Sequence, residues 1–322
     1  MKAFITGGTG FIGSHLADEL VNHGHDVRCL VRKNEKWLQG LNYKKIKGDL
    51  HDLVALKEGI EGVDVVYHLA ALVMAKKKSE FTYANVEATE NVLRLARKAG
   101  IPKVVILSSL AAAGPSFNRP VIESDPLMPV SMYGESKKEM ELMVQKLAGD
   151  SMSVTILRPP AVYGPREEQI YTFFKTASRG LCTIIGDGKS TRISLIHVQD
   201  VIQGLTLAGA HEHQGVNTYF ISSEETYTWH QIRDITAEAL GRKLFTVHIS
   251  PHMVKKIAGA VETMASFFGH YPVINREKAN ELVLEWTCSV DKAREELGYR
   301  QQVSLREGIH NTISWYRKHN WI

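Results

Sequence analysis

Cysteine is scarce in this chain. Three occur among 322 residues, Cys29, Cys182 and Cys288, far apart and odd in number. None shares a metal-binding or redox spacing with another. Neither a disulfide framework nor a bound metal is expected, and a reducing, cytoplasmic setting is. Charge of one sign is also lacking: the net charge is +4, and no basic stripe is interleaved with aromatics. The longest basic run, Lys76–Lys77–Lys78, reads as a solvated loop, so nucleic acid is not an expected partner. No window approaches 18 consecutive apolar residues, which predicts no membrane span. The first apolar run begins at once with Ala3–Phe4–Ile5 and runs into glycines, which predicts no signal peptide. Internal repeats and low-complexity linkers are missing as well. What remains is a chain with 44% hydrophobic and 23% charged residues, the balance of an ordinary globular protein of one or two domains.

Short β-branched runs alternate with helical patterns through the first two hundred residues. KAFIT, DVRCLV, YKKIKGDL, VDVVYHLA, PKVVILSS and SVTILRP read as strands, several with little polar content. Between them FIGSHLADELVNHG, DLVALKEGI, NVEATENVLRLARKAG and YGESKKEMELMVQKLAG read as helices, three of which end on glycine (Gly24, Gly100, Gly149). Near-continuous apolar strands separated by helices predict a doubly wound, parallel α/β sheet covered on both faces. Residues 1–165 are expected to form this nucleotide-binding domain, with 190–210 returning to it. Residues 166–322 are expected to be mainly a smaller, mostly helical substrate lobe, interleaved with the first. The most lipid-friendly helix is HMVKKIAGAVETMASFFG, 252–269, with Met253, Ile257, Val261, Met264, Phe267 and Phe268. Its spacing predicts packing, in the core or over a substrate cavity, in preference to membrane contact.

TGGTGFIGSHL joins the first strand to the first helix with Gly7, Gly10 and Gly13. In that context Gly7 allows a tight turn, Gly10 lets a pyrophosphate approach the backbone, and Gly13 lets helix and strand pack closely. The helix N-terminus then offers free N–H groups and a favourable dipole to the anion. An NAD site usually places a carboxylate at the end of the second strand. Here Val31 is followed by Arg32 and Lys33, cations suited to a 2′-phosphate, with the planar guanidinium better able to bind it bidentately. The expected cofactor is therefore NADP over NAD; two solvated loop charges are the alternative.

In SMYGESKKEM, Tyr133 stands four residues before Lys137, so a helix places both on one face. The pair is either a solvated neighbourhood or proton-transfer machinery, and spacing alone leaves both open. Its context is specific. The chain resembles the extended short-chain dehydrogenase/reductase superfamily nearly end to end, through TGGTGFIG, GDL (48–50), HLAA (68–71), NVEATENVL (85–93), LSSLAAAG, YGESK, LRPPAVYGP (157–165) and DKAREELGYRQQVSLREGI. It departs in carrying Ala88 where glycine is usual.

The resemblance implies Ser109, Tyr133 and Lys137 as catalytic residues. It implies cofactor contacts by Gly7, Thr9, Gly10, Phe11, Ile12, Gly13, Arg32, Lys33, Asp49 (to the adenine), Leu50, Leu69, Ala70, Ala71, Asn85, Ser108, Tyr133, Lys137, Pro160 and Val162. Asn85 is expected at the start of its helix, where an N-cap is its other reading. In such chemistry a hydride passes between the cofactor and a substrate carbon while Tyr133 exchanges a proton with the substrate oxygen. The lysine ammonium favours the phenolate, and Ser109 hydrogen-bonds the oxygen; a turn-capping hydroxyl and a packed aromatic are the bland alternatives for Ser109 and Tyr133. The family's usual four-helix dimer implies a homodimer through 85–99 and 133–148.

The substrate is less determined. Pro160 and Ala161 stand where nucleotide-sugar enzymes often carry Asn, and 108–114 holds no Asp–Glu pair of the dehydratase kind. Against that, GDGKSTR (186–192) with HVQD (197–200) resembles the sugar enzymes' loop, and Arg192 is a candidate phosphate ligand or a domain-bridging partner of Asp187 or Asp200. Ser109, Ala111 and Arg192 form the expected substrate contacts. The second-strand end and the RPPAVYGP and KAREELGY segments are similar to 3β-hydroxysteroid dehydrogenases and dihydroflavonol reductases. An apolar carbonyl or secondary alcohol is the expected substrate, with nucleotide-sugar epimerase or dehydratase as the alternative. A non-catalytic NADP-binding regulator is a third reading, opposed by the intact Ser109, Tyr133 and Lys137.

Overall fold

The computed structural model describes residues 1–149, 152–267 and 275–322, the side chains of 265–267 excepted. Phe267 and Phe268 therefore lie outside the described side chains. β1 (Lys2–Thr6) turns through glycines into α1 (Phe11–Asn22), and β2 (Asp26–Val31) follows. β3 (Lys44–Lys47) buries only Ile46, as an edge strand does. α2 (Leu53–Ile60) opens where the Asp52 carboxylate accepts the N–H groups of Val54 and Ala55. β4 (Val65–His68) is buried throughout.

The next helix begins at α3 (Lys78–Phe81), passes through a π-turn at Thr82–Glu87 and continues as α4 (Ala88–Lys98). Asn85 thus sits inside the helix and not at its start, because the helix gains two turns before it. β5 (Lys103–Leu107) leads to the short α5 (Leu110–Ala113), then α6 (Met132–Ala148) and β6 (Ser153–Arg158).

Seven parallel strands form the sheet, in the order seventh, β6, β5, β4, β1, β2, β3. One face carries Leu16, Ala17 and Leu20 of α1; the other carries Val92 and Ala96 of α4 with Met140 and Val144 of α6. Covering on both faces explains why these strands read as apolar runs without alternation. Each fully buried aliphatic side chain contributes about 1.5–3 kcal/mol.

Beyond residue 160 come β7 (Ala161–Tyr163), α7 (Tyr171–Ser178), β8 (Leu181–Ile185), β9 (Arg192–Ile193), β10 (Leu195–His197) and α8 (Val198–Ala210). α8 packs Val201, Leu205 and Ala208 into the same core as α1. The seventh strand of the sheet is β11 (Val216–Phe220), parallel to β6, although 217–285 reads in the sequence as lobe. The remaining elements are β12 (Tyr227–Thr228), α9 (Trp229–Leu240), β13 (Phe245–Ile249), α10 (Pro251–Phe267), α11 (Arg276–Leu282), α12 (Asp291–Glu296) and α13 (Leu305–Lys318). Phe174, Ile232, Ile313 and Tyr316 tie α7, α9 and α13 into a separate core. β8 pairs with β13, and Ile185 and Ile249 of that pair support Val254 and Ala258 of α10.

The expected packing stripe of α10 faces outward: Met253, Ile257, Val261 and Met264 are all exposed, and the buried face is instead Val254 and Ala258. The helical period allows either face inward, and the small Ala258 lets α10 sit close to Ala279 of α11. No described helix is long and apolar enough to cross a membrane.

Candidate active site

The order of strands reverses between β1 and β4, which opens a crevice at their carboxyl ends. Gly7 lies there with a positive φ of 76°, and a Cβ on it would sit 2.7 Å from the backbone nitrogen of Ala70. A Cβ on Gly13 would overlap the carbonyl oxygen of Gly7. Only glycine fits at either place. Gly10 caps α1 without a side-chain hydrogen bond, so the first-turn N–H groups, including those of Phe11 and Ile12, have no side-chain acceptor. Thr9 is half-buried beside them. A cradle that side chains would fill, ending in uncapped N–H groups, fits a dinucleotide's pyrophosphate. Leu69 donates its N–H to Thr6 O at 3.2 Å, which brings Leu69, Ala70 and the exposed Ala71 to the same strand end.

At the end of β2, Arg32 and Lys33 are exposed and have no side-chain partner among the described residues. Asp49 accepts the N–H groups of His51 (2.8 Å) and Asp52 (3.2 Å), which fixes the turn after β3. The half-buried Leu50 follows, its carbonyl receiving Asn91 Nδ2 at 3.2 Å.

β5 ends in Ser108 and Ser109, held against the end of β6 by Ser108 N to Leu157 O (2.7 Å) and Leu110 N to Pro159 O (2.8 Å). Ser109 caps α5 by accepting the N–H of Ala111 at 3.1 Å, so the capping reading holds, and its hydroxyl lies near enough to Tyr133 to lower the pKa of the phenol. α6 comes close enough for this because Gly134 faces Ala111; a Cβ there would overlap the Ala111 carbonyl oxygen and stand 3.0 Å from Pro129. Burial pushes the Tyr133 hydroxyl up to about 12; the neighbouring Ser109 hydroxyl pulls it down and the charge of Glu281 pushes it up further. Tyr133 is therefore neutral at physiological pH, and not the phenolate expected from Lys137, because burial outweighs the neighbouring groups.

Lys137 is fully buried one turn on. Its Nζ donates to Leu107 O at 2.8 Å, and burial pulls its pKa down to about 8 against the opposing charge of Glu141. Asn85 bridges two loops. Its Oδ1 accepts Leu72 N at 2.7 Å, and its Nδ2 donates to Leu72 O (2.9 Å) and Ser136 Oγ (3.0 Å); Ser136 in turn donates to Tyr133 O at 2.7 Å. Asn85 thus ties the cofactor-side loop to the first turn of α6. Pro160 is buried and Val162 half-buried after β6, while Ala161 between them is exposed.

The sequence reading missed several groups. Glu141, fully buried, accepts from Ser108 Oγ and pairs with Arg158, whose Nη2 lies at 2.5 Å and Nε at 3.0 Å. The four-residue spacing 133, 137, 141 signalled that Glu141 shares the helix face of Tyr133 and Lys137. His68 bridges Thr6 (2.7 Å) and Thr89 (2.9 Å), and burial, aided by the Lys137 charge, lowers its pKa to about 3, so it is a neutral tether. Glu277 of α11 accepts the N–H of Met132, latching the C-terminal segment onto the start of α6. Nothing within the first 165 residues could reveal that contact.

Arg192 does not join this cluster. It is exposed and donates Nε to Thr226 Oγ1 (2.8 Å) and Nη2 to Thr226 O (2.9 Å). Neither expected carboxylate pairs with it: Asp187 caps its own turn through Lys189 and Ser190, and buried Asp200 accepts Gln302 N at 2.7 Å. Each carboxylate finds a backbone donor closer in the chain or in the core. No group of three potential metal ligands occurs among the described residues.

A parallel sheet, a glycine cradle at its switch point and a Ser–Tyr–Lys cluster beside it define a dinucleotide-binding enzyme of the extended short-chain dehydrogenase/reductase superfamily. The model of the NAD-dependent epimerase/dehydratase family matches residues 3–221, and the chain belongs to that family of NAD(P)-dependent enzymes. It is 31% identical, over 96% of its length and 95% of the relative's, to a 4-hydroxy-2-methyl-3-oxo-4-farnesyl-3,4-dihydroquinoline-1-oxide ketoreductase of Stigmatella aurantiaca. It is 25% identical, over 98% of its length and 90% of the relative's, to a 3β-hydroxysteroid dehydrogenase/Δ5→4-isomerase of Mycobacterium tuberculosis. Among solved structures it is similar to DesIV, a dTDP-glucose 4,6-dehydratase from Streptomyces venezuelae with NAD bound, at 26% identity and a TM-score of 0.82 over 100% of this chain and 98% of that one.

Proposed function

We propose that the protein is an NADP-dependent reductase or dehydrogenase acting on a small apolar carbonyl or the corresponding secondary alcohol. The observation that carries it is the juxtaposition of Ser109 with a neutral Tyr133, one helical turn from the buried Lys137 and beside the glycine cradle. The bound cofactor supplies the hydride. Tyr133 donates a proton to the carbonyl oxygen, or removes it in the reverse direction, and Ser109 holds that oxygen by hydrogen bonding. Lys137 places positive charge below the tyrosine, at the end of β5. Arg32 and Lys33, without side-chain partners among the described residues, are the residues proposed to select the 2′-phosphate.

Three observations support an apolar substrate. The ketoreductase and steroid dehydrogenase relatives are named for such substrates. Arg192 is exposed and directs Nε and Nη2 to Thr226, so two of its donors are turned away from a sugar diphosphate. Glu281 lies close enough to raise the Tyr133 pKa, which disfavours an anionic substrate there. The likeness to a dTDP-glucose dehydratase supports the second reading, a nucleotide-sugar epimerase or dehydratase. The proposed assembly is a homodimer through α4 and α6, where Leu142 is exposed on the outer side of α6.

A panel of apolar ketones with NADPH tests the reading. Turnover is expected, and Tyr133→Phe lowers it by roughly a hundredfold or more while NADPH affinity is kept. UDP- and dTDP-sugars are expected to leave the thermal midpoint unchanged; a saturable rise favours the sugar reading. Tight NADPH binding without turnover of any substrate makes the protein a binding module.

A further inference from the structure

α10 has two unlike sides. Val254 and Ala258 pack on Ile185, Ile249 and Ala279, whereas Met253 (49% exposed), Ile257 (43%), Val261 (38%) and Met264 (66%) form a solvent-facing stripe at helical spacing. The apolar surface continues onto the neighbouring strands. Phe245 (72% exposed) and Val247 share a strand face with Ile249, the residue on which α10 rests, and Phe245 lies in register with exposed Leu181. Isolated exposed apolar residues need no explanation, but a contiguous set of this kind marks a binding face.

The polar side of α10 is basic. Lys256 is exposed at the edge of the stripe and Lys255 further round the helix, and with Arg276 of α11 they line an open groove closed on its other side by Gly259, Thr263 and Met264. From Arg242 to Met264 there are four lysines and arginines against one carboxylate, Glu262, and that carboxylate is occupied by the Arg276 backbone N–H at 2.9 Å. A helix with one face packed on the protein, an exposed apolar stripe and a cationic edge has the make-up of an interfacial helix.

We infer that this face docks on an anionic lipid surface, with the stripe entering the headgroup region, Lys256 at its edge facing lipid phosphates, and Lys255 adding to the positive potential of the helix. A second copy of the chain is a poorer occupant, because a two-fold contact centred on α10 would bring these lysines against themselves. The inference goes beyond the catalytic reading and does not rest on it.

The test is flotation of the full-length protein with vesicles of phosphatidylcholine alone and of phosphatidylcholine mixed with phosphatidylglycerol. Binding to the mixed vesicles is expected, weakening as salt screens the cations. Ile257→Glu with Val261→Glu, and separately Lys255→Glu with Lys256→Glu, should each weaken it roughly tenfold or more. Unchanged NADPH affinity and thermal midpoint verify that both variants are folded. Absence of flotation, or flotation indifferent to both variants, overturns the inference. So does a concentration-dependent oligomer that the Glu variants abolish, since the occupant is then another copy. Because flotation needs no turnover, its failure is separate from failure of the proposed reaction.

Discussion

The ammonium of Lys137 donates to the carbonyl oxygen of Leu107 at 2.8 Å, and Tyr133, one turn earlier on the same helix face, lies beside Ser109 instead. The two residues are thus held separately, each by the end of β5. Lys137 is buried at a cost: its pKa falls from an ordinary 10.5 to about 8, a displacement equivalent to roughly 3 kcal/mol. Below pH 8 the folded state carries this penalty in full. Between 8 and 10.5 the unfolded chain binds more protons than the folded one, so stability rises with pH and the penalty fades. Lys137→Met is therefore expected to abolish turnover yet raise the thermal midpoint at pH 7. The gain, about 1–2 kcal/mol after loss of the Leu107 hydrogen bond, should shrink toward pH 10. A lower midpoint for the variant at pH 7 would show that the lysine is a net stabiliser.

Much of this arrangement is local in the chain and hence legible in it. The cradle needs three glycines between one strand and one helix, and Tyr133 and Lys137 need a single helical turn. What the sequence hides is pairing between distant segments. Arg192 could have met Asp187, Asp200 or a ligand; its partner is Thr226, 34 residues away. β11 reads as part of the lobe because nothing in VNTYF says that β6 is its neighbour. Asn85 reads as a helix start because the π-turn around it leaves no compositional mark. The outward face of α10 is hidden for another reason: apolar periodicity gives a stripe without saying which way it points.

Arg32 and Lys33 stand exposed at the end of β2 with no carboxylate partner among the described residues. A guanidinium that binds a 2′-phosphate contributes charge-assisted hydrogen bonds that NADH cannot receive. Arg32→Ala should weaken NADPH binding roughly ten- to a hundredfold and change NADH binding little. Titration of both cofactors by fluorescence decides it; equal losses would sink the assignment.

Glu141 and Arg158 form an ion pair that water does not reach, and Ser108 donates to the same carboxylate. Removing one partner leaves an uncompensated buried charge. Glu141→Ala should cost about 3–5 kcal/mol, measured as a lower urea midpoint with an unchanged slope. The double variant Glu141→Leu with Arg158→Met removes both charges and should recover most of the loss. If the double variant is as unstable as the single one, packing and not charge sets the cost.

Gly134 is the point where α6 touches the Ser109 turn, and a Cβ there would overlap the carbonyl oxygen of Ala111. Gly134→Ala favours the helix intrinsically, by up to about 1 kcal/mol, so a fold-level argument alone expects a more stable protein. The overlap opposes this and must be relieved by moving the first turn of α6 away from α5. That movement separates Tyr133 from Ser109 while leaving the glycine cradle and Arg32, on the far side of the crevice, in place. A shift on the order of 1 Å in a reacting group costs about a hundredfold in rate. The variant is thus expected to bind NADPH as the parent does, fold with a modestly lower midpoint, and lose about two orders of magnitude in kcat. Retained kcat with a raised midpoint would mean that α5 yields in place of α6, and that the placement of Tyr133 beside Ser109 tolerates the change.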